Sequence, residues 1–199
     1  MTEPGVDRQL RAYLLAGDFG SSGRLPAERE LASQLGISRP ALRESLKTLC
    51  DWGLVEVRRG DGTYLTGIEL ADLMEVRSGL EPLAARRAAT LRSADQAAAL
   101  CRGYAEMRAQ FDDPSAFAAA DACVHQVIAE ACGNQVLRRT LEQLSEMVKF
   151  TRRATVMSEQ TRARTLIDVG ELVRCLVSQD ADGASEAMRA HLSHLHLPG

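Results

Sequence analysis

The sequence predicts a mainly α chain in two parts: helix, turn, helix and hairpin near the N-terminus, then an all-α antiparallel helical bundle. Three observations carry this. Apolar residues recur at helical spacing through most of the 199 residues, and only 54–66 looks like short strands. Hydrophobic residues make up 45% but aromatics only 4%, which favours an aliphatic, alanine-rich interior of packed helices over a sheet sandwich. Helix punctuation is regular, with Ser38, Ser93 and Asp113 at starts and Gly36, Gly53 and Gly133 at stops.

In chain order, a first helix is expected over 7–16, where Leu10, Tyr13 and Leu14 share a face. A Gly/Ser-rich connection, 17–23, leads into the stretch that organises the rest, 24–66. Its first helix, 26–35, has Pro26 at its first position and Gly36 just past its end. Ile37-Ser38 turns the chain, and Ser38 caps a second helix over 39–52, closed by Gly53. Leu31, Leu35, Ile37, Leu42, Leu46 and Leu49 pack the two across the turn. Strands over 54–58 and 63–66 follow, joined by Arg59-Gly60-Asp61-Gly62. That order makes a winged helix-turn-helix, whose second helix would enter a DNA major groove.

The charges agree. Arg39 and Arg43 are four apart on one face of the second helix, and Lys47 extends that face by a turn. Ser38 and the first backbone N–H groups can meet a phosphate, and Arg29 can reach the flanking backbone. Arg58 and Arg59 stand at the wing, where Gly60 and Gly62 permit close approach to a groove. Over 24–60 the basic residues (24, 29, 39, 43, 47, 58, 59) outnumber the acidic ones (28, 30, 44, 51, 56) only slightly, so placement matters more than total. A net charge of −3 fits a local basic face rather than a surface that is basic throughout.

This stretch closely resembles the N-terminal domain of GntR-type bacterial transcription regulators. The match runs through Arg24-Leu25-Pro26, Glu28-Arg29-Glu30-Leu31-Ala32, Leu35-Gly36, Ser38-Arg39, Leu42-Arg43-Glu44, Gly53-Leu54-Val55 and Gly60-x-Gly62-Thr63. The resemblance implies that Arg29, Arg39 and Arg43 carry the main DNA contacts. It also implies that Pro40 and Ala41 face the bases and that Arg59-Gly60 reaches the minor groove. Domains are accordingly expected over 1–66 for DNA binding and 67–199 for effector binding and dimerisation.

The five cysteines show no CxxC pair and are odd in number; with no signal peptide and no long apolar run, a reducing cytoplasm with buried free thiols is expected, and no membrane partner.

Six helices fill the second part: 70–90, with Leu73, Val76, Leu80, Leu83 and Ala84 along one side; 93–110, opened by the capping box Ser93-x-x-Gln96; 113–132; 134–156; 159–178; and 182–196. Asp121 and His125, four apart on one helical face, can share a divalent metal such as Zn, Ni or Mn. Cys123 points off that face. The part resembles the FCD ligand-sensing domain of the FadR subfamily. The residues are Glu75-Val76-Arg77, Leu80-Glu81-Pro82, Ala84-Ala85, Ala88-Ala89, Asp121-x-x-x-His125, Gly133-Asn134, Asp180, Ala184, Met188-Arg189 and His191-Leu192. By that resemblance two histidines join Asp121 and His125. His191 is present, but Val169, beside Asp168, stands where the other is usual, leaving three ligands and a gap that a carboxylate or waters could fill. Two further readings stay open: Asp121 only orients His125 while His191 is a polar core residue, or the pocket has lost metal and binds its effector directly. His194 and His196 are assigned to an exposed helix end. Arg77, which the resemblance puts near the pocket mouth, is the candidate grip on an acidic effector.

The expected function is a dimeric, ligand-responsive transcription regulator, a repressor, that binds a pseudo-palindromic operator and responds to a small carboxylic acid. Two alternatives compete: a constitutive DNA-binding protein whose bundle only dimerises, and a metal-dependent enzyme using Asp121, His125 and His191. Against the enzyme, the chain has no Gly-rich phosphate loop, no nucleophile elbow and no HExxH.

Overall fold

A computed structural model describes residues 4–17, 19, 20, 22–151 and 157–194. The chain divides into two compact units, Met1–Leu70 with Lys149–Arg153, and Ala71–Val148 with Ala154–Gly199.

In the first unit α1 (Pro4–Ala16), α2 (Glu28–Leu35) and α3 (Arg39–Asp51) pack on one another, and α3 packs on β1 (Val55–Arg58). β1 runs antiparallel to β2 (Gly62–Leu65), with Val55 opposite Leu65 and Arg58 opposite Gly62. Leu10, Leu31, Leu42, Leu46, Leu49, Val55 and Tyr64 form the core, whereas Leu35 and Ile37 are half-buried. A polar contact also crosses it: Ser45, buried on α3, donates to Asp7 of α1 at 2.6 Å.

The helix expected from Pro26 starts two residues later. Residues 23–25 are held extended against β2, where Leu25 N–H donates to Thr63 at 2.8 Å and Leu65 N–H to Gly23 at 2.9 Å. Ala27 is still extended, at φ −57 and ψ 144, and offers no side-chain cap. Gly36 closes α2 at φ 65, a conformation that penalises side chains with a Cβ. Ser38 caps α3 as expected, its Oγ accepting from Ala41 N–H at 3.3 Å.

The second unit holds α4 (Leu70–Leu91) from Ala71, α5 (Ala94–Ala109), α6 (Pro114–Ala131), α7 (Gln135–Thr151) as far as Val148, α8 (Glu159–Val177) and α9 (Ala181–Ser193). Short connections join α5 to α6 and α8 to α9 as hairpins, and α5 packs on α8. The Ser93–Gln96 capping box forms with both its hydrogen bonds, and Asp113 caps α6 through Ser115 and Ala116 N–H. Two arginines from the end of α4 clasp the ends of other helices. Arg87 donates to the Cys132 carbonyl at 2.7 Å, and Arg92 donates to those of Leu176, at 2.8 Å, and Val177.

Two further expectations are corrected. On α4, Val76 and Leu83 are 46% and 47% exposed; the buried face is Leu73, Met74, Arg77, Glu81, Ala84, Ala85, Ala88 and Ala89. The small alanines pack α4 inward along their own line, which turns Val76 and Leu83 outward. Cys132 and Cys175 are buried, but Cys50, Cys101 and Cys123 are exposed, so thiol burial is not general. The helix expected over 134–156 is described to Thr151; residues 152–156, and His196 with the end of the last helix, lie outside the described residues. Among the described residues no helix is long and apolar enough to cross a membrane.

Candidate functional site

The first unit offers a basic face on α3. Ser38, Arg39, Pro40, Arg43 and Lys47 are exposed and Ala41 is half-buried. Because Ser38 Oγ already accepts the capping bond, a phosphate there would meet the remaining hydroxyl capacity and backbone donors. Arg43 is not a loose side chain: its Nε lies 2.6 Å from Glu28 Oε2, so α2 braces it at little net energetic gain for an exposed pair. Arg29 is exposed on α2.

The wing is built for rigidity. Gly60 turns the chain at φ 78, and Arg59 beside it is exposed. Arg24 binds the Asp61 carbonyl, and Tyr64 OH donates to Asp61 Oδ2 at 2.6 Å, so the turn is pinned from two sides. Arg58 stacks 4.1 Å over the Tyr64 ring and pairs with Glu56 at 3.1 Å, which leaves Arg59 as the outward charge of the two. Glu28 and Arg24, both matched by motif, carry bracing roles that spacing alone did not signal.

The second unit holds a buried polar centre. Asp121 and His125 come from α6 and His191 from α9. His125 Nε2 and His191 Nε2 are 3.0 Å apart, and Asp121 Oδ1 lies 3.7 Å from the first and 3.8 Å from the second. Bonds of about 2.1 Å to one tetrahedral ion would set ligand atoms about 3.4 Å apart, so this triangle is the right size. Asp121 Oδ1 has no hydrogen-bond partner although it is buried, and neither has His191 Nδ1. An acceptor without a donor at the apex of two imidazoles is a donor set that fits a divalent cation.

Glu81, which motif reading passed over as a site residue, organises this centre. Its Oε2 lies 2.6 Å from His125 Nδ1, and its other oxygen takes an ion pair from Arg77 one turn away on α4. A carboxylate behind a ligating imidazole orients the ring and raises its basicity. Arg77 is therefore buried within the network and 3.5 Å from His125 Nδ1, rather than at a mouth. The signal was present: residues 77 and 81 are in register with Ala84 and Ala88, not with Val76 and Leu83.

The electrostatics follow. Burial alone would raise the Glu81 carboxyl, but His125 and Arg77 hold it far below the usual range. Burial would lower His125, yet the Glu81 and Asp121 carboxylates outweigh it and raise it. His191 is pushed down to about 4, chiefly by burial. These directions favour the charged form of His125 beside the two carboxylates and the neutral form of His191.

Val169 is fully buried on α8. Its neighbour Asp168 is engaged elsewhere: Arg164 lies 3.2 Å away, and His194 Nε2 is bonded to its Oδ2. His194 is thus a correction to the exposed-end assignment, since its contact with Asp168 ties the end of α9 to α8. Cys123 is exposed, off the polar centre.

Comparison with known proteins finds two family matches. Residues 3–65 match the bacterial regulatory proteins of the gntR family, and residues 72–194 match the FCD domain. The chain is 30% identical to the "Putative L-lactate dehydrogenase operon regulatory protein" of Escherichia coli (strain K12), over 96% of this chain and 83% of that one. It is 28% identical to the HTH-type transcriptional regulator LutR of Bacillus subtilis (strain 168), over 90% and 92%. Among solved structures, one described as "Lar controls the expression of the Listeria monocytogenes agr system and mediates virulence" superposes with a TM-score of 0.75 at 19% identity, over 98% of this chain and 96% of that one. McbR/YncC of E. coli gives 0.70 at 18%, with the same coverage. These two likenesses show the fold.

Proposed function

The chain belongs to the GntR family of bacterial regulatory proteins and carries an FCD domain, and from that premise we propose that this DNA-binding transcription regulator is a ligand-responsive dimeric repressor. Its relatives are regulators rather than enzymes. In the proposed mechanism two copies present their α3 helices to a pseudo-palindromic operator. Arg39, Arg43 and Lys47 on α3 and Arg29 on α2 supply the contacts, with Pro40 and Ala41 toward the bases and Arg59-Gly60 at the minor groove. A small carboxylic acid binds the polar centre of the second domain, near 67–199, and releases DNA through its different affinity for two states.

The observation that carries the effector reading is the closed triangle of Asp121, His125 and His191 around an unpartnered carboxylate oxygen. These three would hold one divalent transition metal such as Zn, Ni or Mn. The metal would supply a Lewis-acidic anchor for a carboxylate. Val169 contributes no ligand atom, so positions stay open for that acid. Arg77 and Glu81 keep His125 oriented from behind its ring. A metal-free effector pocket is the second reading, and the apolar Val169 favours it.

The relative from E. coli is named for an L-lactate dehydrogenase operon, so L-lactate is the first acid to try. The test combines metal content of protein purified without chelator, its thermal midpoint with and without EDTA, and operator binding with L-lactate and related acids. About one equivalent of metal, a midpoint lowered by EDTA, and acid-dependent release are expected. Metal-free protein that still releases DNA with acid would select the second reading. Operator binding indifferent to acids and metal would overturn the effector role.

A further inference from the structure

Two buried polar groups on α8 have no part in either site. Thr165 is fully buried, yet its hydroxyl has no hydrogen-bond partner. Other helical threonines return theirs to the carbonyl four residues back, as Thr48, Thr90 and Thr140 do to Glu44, Arg86 and Val136. Thr165 does not, so a group that is costly to bury stands unmatched in the core. Arg162, one turn earlier on the same buried side, is the second. Its Nε donates to the Phe111 carbonyl at 2.8 Å and its Nη1 to that of Met157, and its guanidinium lies 5.3 Å over the Phe111 ring. All of these partners are neutral. Among the described residues no carboxylate pairs with Arg162 and nothing bonds its Nη2, whereas the other buried arginine, Arg77, has Glu81. A guanidinium and a free hydroxyl one turn apart are the donors that an oxyanion takes.

α5 fixes where this pair stands relative to the polar centre. α8 runs antiparallel to α5. Arg162 reaches the Phe111 carbonyl just past the end of α5, and Gly170, about two turns on, leaves room for Tyr104, whose hydroxyl a Cβ there would meet at 2.7 Å. α6 returns along α5, with Gly103 against Val124. These contacts set Asp121 and His125 level with residues about 168 to 172 of α8. Val169 falls at that level, Thr165 one turn short of it and Arg162 another turn beyond, all three buried. At about 1.5 Å per residue, the two donors stand roughly 7–12 Å along the axis from the centre. A short extended diacid covers that span, given about 2.1 Å for a metal bond at one end and about 2.8 Å for a hydrogen bond at the other.

We propose that Arg162 and Thr165 form a second anion-binding subsite, which takes the far carboxylate of a short dicarboxylic acid whose near carboxylate is held at the Asp121–His125–His191 centre. Val169, apolar and between the two ends, packs against the methylene chain. The inference rests on the effector reading above and narrows its ligand class, because a monocarboxylic acid such as L-lactate fills the near end alone.

The test is isothermal titration of the full chain, with one equivalent of zinc, by succinate, glutarate and L-lactate, for the wild type, Thr165→Val and Arg162→Lys. One of the diacids is expected to bind about tenfold more tightly than L-lactate, as a second charge-assisted contact requires. Thr165→Val should weaken that diacid by roughly fivefold to tenfold and leave L-lactate unchanged. Arg162→Lys keeps the charge but loses the planar fork, and should weaken it at least as much. Thr165→Val also removes an unmatched hydroxyl while keeping the side chain's shape, so the ligand-free variant should melt no lower than the wild type. L-lactate binding as tightly as both diacids, diacid affinity indifferent to both variants, or a lower melting point for Thr165→Val would each overturn the second subsite while leaving the effector centre standing. No binding of any of these acids would remove the carboxylic-acid reading, and this inference with it.

Discussion

Arg43 and Glu81 illustrate two uses of charge in this chain. Arg43 is exposed and braced by Glu28, so it is held pointing without being neutralised by burial. If it reads a base, Arg43→Ala should weaken operator binding by about 1–3 kcal/mol and relax preference at one position of the site. Fluorescence anisotropy on the operator and on a set of single-base variants checks this; unchanged affinity would mean the α3 face is misplaced. Glu81 is buried between a guanidinium and an imidazole, where removing one partner leaves an uncompensated charge. Glu81→Gln should lower metal affinity by roughly 10–100-fold and stability by about 3–5 kcal/mol, while a folded variant keeps basal DNA binding. Isothermal titration with Zn, beside a urea melt, separates the two effects; unaltered zinc affinity would reduce Glu81 to a structural role. At this scale the sequence showed the ligand candidates, because Asp121 and His125 declare their shared face by spacing. It did not show Glu81 or the His194–Asp168 contact, because those depend on which side of α4 turns inward and on how α9 pairs with α8.

Elements were legible where capping chemistry marks them. Ser38, Ser93 and Asp113 each accept the backbone donors expected of them, and the six helices of the second unit follow from Gly, Pro and polar punctuation. Legibility failed where another element competes. The start of α2 is delayed because 23–25 pair with β2, a contact between residues some forty positions apart that no local pattern reveals. The buried face of α4 was misread because Val76 and Leu83 look more hydrophobic than the alanines that pack. α8 supplies a gain-of-function test at this scale. Val169→His restores the histidine that the FCD resemblance leads one to expect there, and should raise zinc affinity and the zinc-dependent rise in thermal midpoint. No gain in either would show that residue 169 does not face the polar centre. A hundredfold excess of metal over its dissociation constant should stabilise the wild type by about 2.7 kcal/mol, readable as a shift of the melting curve.

For the whole molecule, modest net charge and a local basic face imply binding dominated by a few phosphates. Operator affinity should fall steeply between about 50 and 200 mM salt, and Lys47→Ala should reduce the slope of log affinity against log salt by about one. An unchanged slope would place Lys47 off the backbone. The two arginine clasps have a mechanical consequence. Arg87 and Arg92 tie the last turns of α4 to the ends of α6 and α8, whereas the first turn of α4 continues directly into the short segment that follows β2. α4 is thus a lever with its fulcrum at the far end, and Arg77 and Glu81 lie part-way along it. With that end clasped, a displacement of those two residues on effector binding would be expected to be taken up toward the first turn of α4.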